Sequence, residues 1–153
     1  MINIYDDQGF EKVREAGSVA SGALDEVYEI IKPGISTNKI DNICYEFLND
    51  NNSYSAPLYY RGYPKSCCTS INHTVCHGIP GEKTLKEGDI VNVDVTAFKN
   101  GFHGDTSRMF LVGDVSVKAL NLVKATYDSM MKAIEILKDG VAMGDIGATI
   151  QEH

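Results

Sequence analysis

The chain has 153 residues, of which 43% are hydrophobic, and a formal net charge of −7 at pH 7. This length can bury a sizeable core in one domain, the apolar content excludes a disordered protein, and the acidic balance without a basic cluster disfavours a nucleic-acid binder. No apolar run reaches membrane-spanning length and the N-terminal ten residues lack a secretory signal, so we expect a cytoplasmic protein.

Two helices are predicted in the first third of the chain. Apolar residues recur at helical spacing over Gln8–Ile31, and Pro33-Gly34 ends this helix. A second helix follows, with Ser36 or Thr37 as its N-cap. Its predicted buried face consists of four apolar residues, Ile40, Ile43, Phe47 and Leu48. Asn49–Ser53 is predicted to be a polar loop.

The segment Tyr54–Asn72 is predicted to be a strand that is broken at positions 62–64. It holds two of the four cysteines, Cys67 and Cys68, which would point to opposite sides of a strand. Because the chain has no CxxC pair, we expect reduced and mostly buried thiols. The alternative is a zinc site built from Cys68, Cys76 and His77, whose spacing matches no standard pattern.

A hairpin is predicted around Asn100-Gly101. Residues 89–98 alternate between apolar and polar side chains, which is typical of a strand with one buried face. Asn-Gly favours a two-residue loop, because both of its residues need positive φ. In that register Thr96 lies opposite Asp105, and Asp94 becomes a diagonal neighbour of Asp105 on the same face, about 7 Å away between backbones.

This pair of acids makes a metal site the leading interpretation of the hairpin. Two carboxylates that close repel each other, so one must be protonated or a cation must lie between them. The alternative is an ordinary solvated face of Asp and Thr. A three-residue loop would also flip the second strand and separate Asp94 from Asp105.

A long helix is predicted after the hairpin, beginning near Asp114 or Ser116. It is expected to bury one apolar stripe, composed of Leu120, Val123, Tyr127, Met130, Ile134 and Leu137. The Met130-Met131 pair within it is interpreted as core filling.

The chain contains a possible internal repeat. Ile30–Ile35 (IIKPGI) resembles Ile136–Val141 (ILKDGV) at an offset of 106 residues. Shared capping residues at helix ends are the alternative explanation. If the repeat is real, the second copy is cut off at His153, before it reaches any strands. We would then expect a partial domain, whose first half covers about 1–112 and whose second half begins near 114.

Several motifs together match one family. They are Lys32–Gly34 (KPG), Tyr60–Ser66 (YRGYPKS), Ser70–Pro80 (SINHTVCHGIP), Gly88–Asp94 (GDIVNVD) and Gly101–Ser107 (GFHGDTS). In this order they resemble the compact type I, bacterial-like methionine aminopeptidases over essentially the whole chain. The aspartate pair is shared by a wider fold family that includes the prolidases. The segments around His77 and Tyr60 are more specific.

The resemblance implies an α+β pita-bread fold, in which two pseudo-symmetric halves surround a dinuclear metal centre. The chain would supply the first half and the start of the second. By resemblance, Asp94 binds one metal and Asp105 bridges both. His77 is the implied catalytic residue, which contacts the substrate and stabilises the developing tetrahedral centre.

The resemblance also implies a pocket for the methionine side chain. Tyr60, Tyr63 and Cys68 would line it, and a polarisable sulfur suits a thioether. Pro57 stands where many relatives place a cysteine, so the edge of this pocket departs from the family pattern.

The implied reaction is removal of the N-terminal methionine from nascent proteins, with two divalent ions (Co, Mn, Fe or Zn) as cofactors. The family completes its metal site with a histidine and two glutamates from the second half, which are missing here. We therefore expect this chain alone to bind metal poorly and to have little activity. The alternatives are a non-catalytic binding module of the same fold and a prolidase-like metallopeptidase.

The expected partners follow from that reaction. They are the N-terminal methionine peptides of nascent chains, with the ribosome exit region as a further candidate. We expect no nucleic acid as substrate, no membrane, and a monomer when the protein is complete.

Overall fold

The computed structural model describes residues 3–153. They form two compact units, of which the first ends at Asp114 and the second begins at Val115. The first unit is an antiparallel sheet with two helices packed on one of its faces. The second unit consists of two helices.

Both helices predicted at the start of the chain are confirmed, as α1 (Asp7–Ile30) and α2 (Thr37–Asp50). Ser36 is the N-cap of α2, and its side chain accepts a hydrogen bond from the Lys39 backbone N–H at 3.2 Å. The polar loop predicted over Asn49–Ser53 begins later than expected. The reason is that the side chain of Asn51 bonds the Phe47 carbonyl at 2.9 Å, which supports the last turn of α2.

The sheet contains four strands, β1 (Tyr54–Ser55), β2 (Cys68–Ile71), β3 (Ile90–Lys99) and β4 (Phe102–Leu111). The other three strands all pair antiparallel with β3. The short strands β1 and β2 follow one another along one edge of β3, and β4 occupies the other edge. The long strand β3 therefore lies at the centre of the first unit.

The strand predicted over 54–72 is interrupted, but the interruption covers residues 56–67 and is longer than the predicted break at 62–64. Between β1 and β2 the chain forms a short 3-10 turn, Tyr60–Gly62. Tyr59 and Arg61 have φ of 67° and 49° there, which is the left-handed region and cannot continue a strand.

The predicted hairpin and its register are confirmed. Asn100 and Gly101 have φ of 52° and 85°, as a two-residue loop of this type requires. Thr96 pairs with Asp105, and Asp94 pairs with Ser107. The alternating apolar residues of β3 from Val91 to Ala97 are buried, while Asn92, Asp94 and Thr96 are half-buried on the opposite face. That opposite face carries the candidate site.

The core of the first unit lies between the sheet and the helices. Its large, fully buried side chains include Leu24, Ile40, Leu48, Leu85, Val91, Val93 and Val95. The helix α1 comes so close to β4 that a Cβ on Gly104 would lie 2.2 Å from the backbone nitrogen of Gly17. Only glycine fits at position 104, and this close contact fixes the hairpin against α1.

One polar atom in this core has no partner. The Thr69 side chain is 5% exposed, and its hydroxyl makes no hydrogen bond to any residue in 3–153. Because Thr69→Val keeps the shape and removes the unpaired hydroxyl, we expect it to raise the free energy of unfolding by about 1 kcal/mol. Urea denaturation checks this, with Thr126→Val as the control, since the Thr126 hydroxyl bonds the Leu122 carbonyl at 2.8 Å. A loss of stability in Thr69→Val would show that the Thr69 hydroxyl is not an unpaired polar group.

The second unit contains α3 (Val117–Glu135) and α4 (Met143–Glu152). The start predicted for the long helix is confirmed, because Ser116 is the N-cap of α3. The burial predicted for its stripe is wrong, since Leu120, Tyr127, Met130, Ile134 and Leu137 are all exposed. Within this unit only the ten-residue α4 accompanies the nineteen-residue α3, which is too little surface to cover the stripe.

The offset of 106 residues also relates the loop between α1 and α2 to the loop between α3 and α4. Gly34 and Gly140 have φ of 92° and 88°, and each lies in the loop between two helices. The N-caps that follow them, Ser36 and Ala142, are separated by the same number of residues. Among residues 3–153, no helix has the length and apolar character needed to cross a bilayer.

Candidate active site

One cavity of about 720 Å³ in the first unit is bordered by every residue predicted for the site. Those residues are Tyr60, Tyr63, Cys68, His77, Asp94 and Asp105. The cavity is also lined by Pro57, which the resemblance placed at the edge of the pocket, and by five residues that were not assigned to the site from the sequence, Arg61, Gly62, Pro64, Ile79 and Thr96. The sheet face and the loops beside β1 and β2 thus build one concave surface.

The two acids lie together on the exposed face of the hairpin. The Thr96 hydroxyl donates a hydrogen bond of 3.0 Å to the Asp105 carboxylate, which orients it. Burial, and then the neighbouring Asp105 carboxyl, raise the pKa of Asp94 above its usual value, whereas His77 lowers it. A divalent cation beside both carboxylates would relieve this repulsion, so the pair fits a metal that prefers oxygen ligands.

The acids alone form an incomplete set of ligands. Within the described range 3–153, no group of three or more His, Cys, Asp and Glu side chains is arranged to hold a metal ion. Divalent ions of this kind take about six ligands, so two carboxylates leave most positions to water. We expect such binding to be weak.

His77 reaches the cavity from the segment that follows β2. It has φ of 54°, so the left-handed conformation falls on the histidine itself and not on Gly78. Gly78 is needed for another reason, because a Cβ there would lie 2.1 Å from the Thr69 carbonyl oxygen. The Thr69 N–H donates to the Gly78 carbonyl at 2.8 Å, which holds the segment against β2.

Tyr63 and Cys68 form one wall of the cavity. The Tyr63 hydroxyl lies 2.9 Å from the Cys67 carbonyl oxygen and 3.3 Å from the Cys68 sulfur. In the sheet, Cys68 pairs with Asp94, so the sulfur faces the same side as the acids. Burial raises the pKa of the Cys68 thiol, which keeps it neutral at physiological pH.

Burial, reinforced by the hydrogen bond with Cys68, raises the pKa of Tyr63 far above its usual value of about 10. We expect Tyr63→Phe to leave the tyrosinate absorbance that develops around pH 10 unchanged in the folded protein. Because the folded pKa is the higher one, the stabilisation from Tyr63 is complete below pH 10 and is lost as the pH rises further. A loss of this absorbance in Tyr63→Phe would contradict the raised pKa of Tyr63.

A buried carboxylate fixes the chain just before β2. Asp41, on α2, accepts hydrogen bonds from the Ser66 N–H and the Ser66 hydroxyl, both at 2.7 Å, and from the Cys67 N–H at 3.2 Å. The Lys65 ammonium lies 3.4 Å from its other oxygen. These bonds position Cys68 relative to the acids of β3.

Two of the additional cavity residues carry chemistry. Thr96 could have been assigned from the sequence, because the predicted register already placed it opposite Asp105. Arg61 could not, because its position depends on the left-handed turn at 59–62. Its guanidinium lies 5.4 Å from the centre of the Tyr60 ring.

Comparisons with known proteins agree with this geometry. The model of metallopeptidase family M24 matches residues 11–153. A methionine aminopeptidase of Rickettsia prowazekii (strain Madrid E) is 50% identical over 152 residues, which are 99% of this chain and 59% of that protein. The chain therefore spans about three fifths of the length of that relative.

The same fold is found in solved structures. The crystal structure of methionine aminopeptidase from Rickettsia prowazekii aligns with a TM-score of 0.97 and 51% identity, over 99% of this chain and 61% of that one. A prolidase from Pyrococcus furiosus aligns with a TM-score of 0.83 and 20% identity, over 97% and 43% of the two chains, which shows the fold alone. The expected α+β pita-bread fold is confirmed.

Proposed function

Because the chain belongs to metallopeptidase family M24, we propose that the protein removes the N-terminal methionine from nascent proteins. The observation that carries this proposal is the adjacency of Asp94 and Asp105 in a cavity that also has a wall of aromatic rings and sulfur. The relatives named methionine aminopeptidase support the choice of substrate. Since the chain spans 59% of the first of them, the activity of the whole protein is part of the proposal.

The proposed roles assign each residue to one task. Asp94 would be a ligand of one divalent ion and Asp105 a ligand of both, with Co, Mn, Fe or Zn as candidate metals. When bound, such ions activate a water and polarise the scissile carbonyl. His77, as the catalytic residue, donates a hydrogen bond to the carbonyl oxygen as negative charge develops on it.

The substrate pocket is proposed to consist of Tyr60, Tyr63 and Cys68. The rings and the neutral thiol offer the methionine side chain an apolar surface that it can enter without losing hydrogen bonds. The hydroxyl of Tyr63 is already bonded to the Cys67 carbonyl, so its ring edge is fixed.

The organisation of the complete site is also a proposal. Residues 1–112 form the first of two pseudo-symmetric halves, and the second begins near 114. The repeated helix–loop–helix at an offset of 106 residues supports this. The remaining metal ligands are proposed to lie in the part of the relatives that this chain does not span.

The role in protein maturation implies further properties. The protein works in the cytoplasm on the N-terminal methionine peptides of nascent chains, and the ribosome exit region is its place of contact. It binds neither nucleic acid as a substrate nor a membrane, and it is a monomer when complete.

A reconstitution assay tests the proposed reaction. The 153-residue chain is mixed, with Mn²⁺ present, with the C-terminal segment of the Rickettsia prowazekii relative that it does not match. We expect methionine to be released from Met-Ala-Ser and not from acetyl-Met-Ala-Ser. Little release is expected from the chain without the segment.

The same assay separates the alternatives. Cleavage of Ala-Pro in preference to Met-Ala-Ser would establish prolidase chemistry, for which the 20% identity of the prolidase gives no support beyond the fold. A mixture that assembles and binds peptides without any hydrolysis would establish a binding module. Two facing acids have no evident use in such a module.

A further inference from the structure

The cavity of the candidate site has a cation at its border, the guanidinium of Arg61, that no carboxylate within residues 3–153 neutralises. Arg61 is exposed and lines the cavity together with Asp94 and Asp105. Among residues 3–153 its guanidinium forms no ion pair within 4.0 Å and no hydrogen bond. The chain's other arginines, Arg14 and Arg108, are each paired with a carboxylate, at 2.5 and 2.8 Å.

The backbone holds Arg61 in place by an unusual turn. Tyr59, Arg61 and Gly62 have φ of 67°, 49° and 85°. A left-handed conformation costs a residue with a side chain about 1–2 kcal/mol, so such a residue persists only where neighbouring bonds hold it. Here the Tyr59 N–H bonds the Tyr63 carbonyl at 2.7 Å, and the Tyr63 N–H bonds the Tyr60 carbonyl at 2.9 Å. The turn therefore presents the guanidinium at the cavity from a closed, hydrogen-bonded loop.

The charges of this cavity are complementary to a peptide end. Asp94 and Asp105 suit a metal and the positive amino terminus, while Arg61 is free to meet a negative group further along the same peptide. Guanidinium is the side chain best suited to a carboxylate, because it can donate two parallel hydrogen bonds. The ring of Tyr60 beside it limits the directions in which it can turn.

We propose that Arg61 determines specificity by binding a carboxylate of the peptide downstream of its first residue, so that the protein favours acidic N-terminal sequences. This inference rests on the proposed function, because it places the peptide with its amino terminus at the two acids. The carboxylate can belong to a Glu or Asp side chain or to the C-terminus of a short peptide.

Equilibrium binding tests this without requiring turnover. Fluorescently labelled protein at low concentration is titrated by thermophoresis with C-terminally amidated Met-Ala-Glu-Glu and Met-Ala-Gln-Gln, at low salt with Mn²⁺ present. We expect the acidic peptide to bind about threefold to fivefold more tightly, with the difference shrinking as salt is added. Met-Ala-Gln-Gln with a free C-terminus carries only the terminal carboxylate, so its affinity shows whether Arg61 binds a C-terminus as well as an acidic side chain.

Three variants identify the residue responsible. Arg61→Gln should abolish the preference for the acidic peptide, and Arg61→Glu should reverse it in favour of Met-Ala-Lys-Lys. Arg14→Gln removes the same charge from α1, away from the cavity, and should keep the wild-type preference. A preference that persists in Arg61→Gln, or neutral and acidic peptides that bind equally to the wild type, would overturn the inference alone.

A control with N-acetylated peptides tests the proposed function separately from the role of Arg61. If the methionine peptides bind no more tightly than their N-acetyl forms, the amino terminus is not recognised. That result would overturn the proposed function, together with the inference that rests on it.

Discussion

Replacing Asp41 by alanine is expected to lower the free energy of unfolding by about 3 kcal/mol or more. The carboxylate is 6% exposed and is surrounded by donors. Without it, the buried N–H groups of Ser66 and Cys67 lose their acceptor, and the Lys65 ammonium at 3.4 Å loses its carboxylate partner. Urea denaturation followed by circular dichroism measures the change.

Two further variants give this experiment its controls. Asp41→Asn keeps an oxygen for the Ser66 N–H but loses the charge, so we expect a smaller loss of about 1.5 kcal/mol. Asp25→Ala breaks the exposed pair with Arg108, whose atoms lie 2.8 Å apart, and should cost less than about 1 kcal/mol. Equal losses of stability in Asp41→Ala and Asp25→Ala would show that the hydrogen bonds of Asp41 do not stabilise residues 65–67.

The hairpin was predictable because its determinants are local. The alternation of Val91, Val93 and Val95 with polar residues fixed which face is buried, and Asn100-Gly101 fixed the register. A strand period of two residues then decides that Asp94 and Asp105 share a face. This part of the candidate site required no information from distant parts of the chain.

The connection between β1 and β2 was not predictable for the opposite reason. Its aromatic residues have strand propensity, which favoured a strand over 54–72 that is broken only at 62–64. The actual path depends on left-handed residues at Tyr59 and Arg61 and on Asp41, which is distant in sequence. The position of Arg61 at the cavity therefore emerges only from the folded chain.

The helix α3 illustrates a different limit. Its apolar spacing correctly predicted a helix with one apolar stripe, but periodicity does not say what covers that stripe. Leu120, Met130 and Leu137 remain about half exposed in the structure. The pattern established the type of element and left its partner undetermined.

In the reconstituted assay, Asp105→Asn is expected to reduce methionine release by about a thousandfold. Loss of a shared ligand removes several kcal/mol of transition-state stabilisation, and each 1.36 kcal/mol corresponds to a factor of ten. Thr96→Val, which removes only the 3.0 Å bond that orients the Asp105 carboxylate, should reduce the rate by about tenfold. Asp50→Asn, an exposed carboxylate on α2, should have no effect.

The stability of the same variant is expected to change in the opposite direction. In the metal-free chain burial, and then the Asp105 carboxyl, raise the pKa of Asp94, and the second of these causes reports the repulsion between the two acids. Asp105→Asn removes that repulsion, so at neutral pH it should raise the free energy of unfolding by about 0.5 kcal/mol. A residue that only supports the fold would lose activity and stability together. If Asp105→Asn lowers both activity and stability, Asp94 and Asp105 serve the fold. If it lowers activity and raises stability, the two acids are placed together to bind a cation.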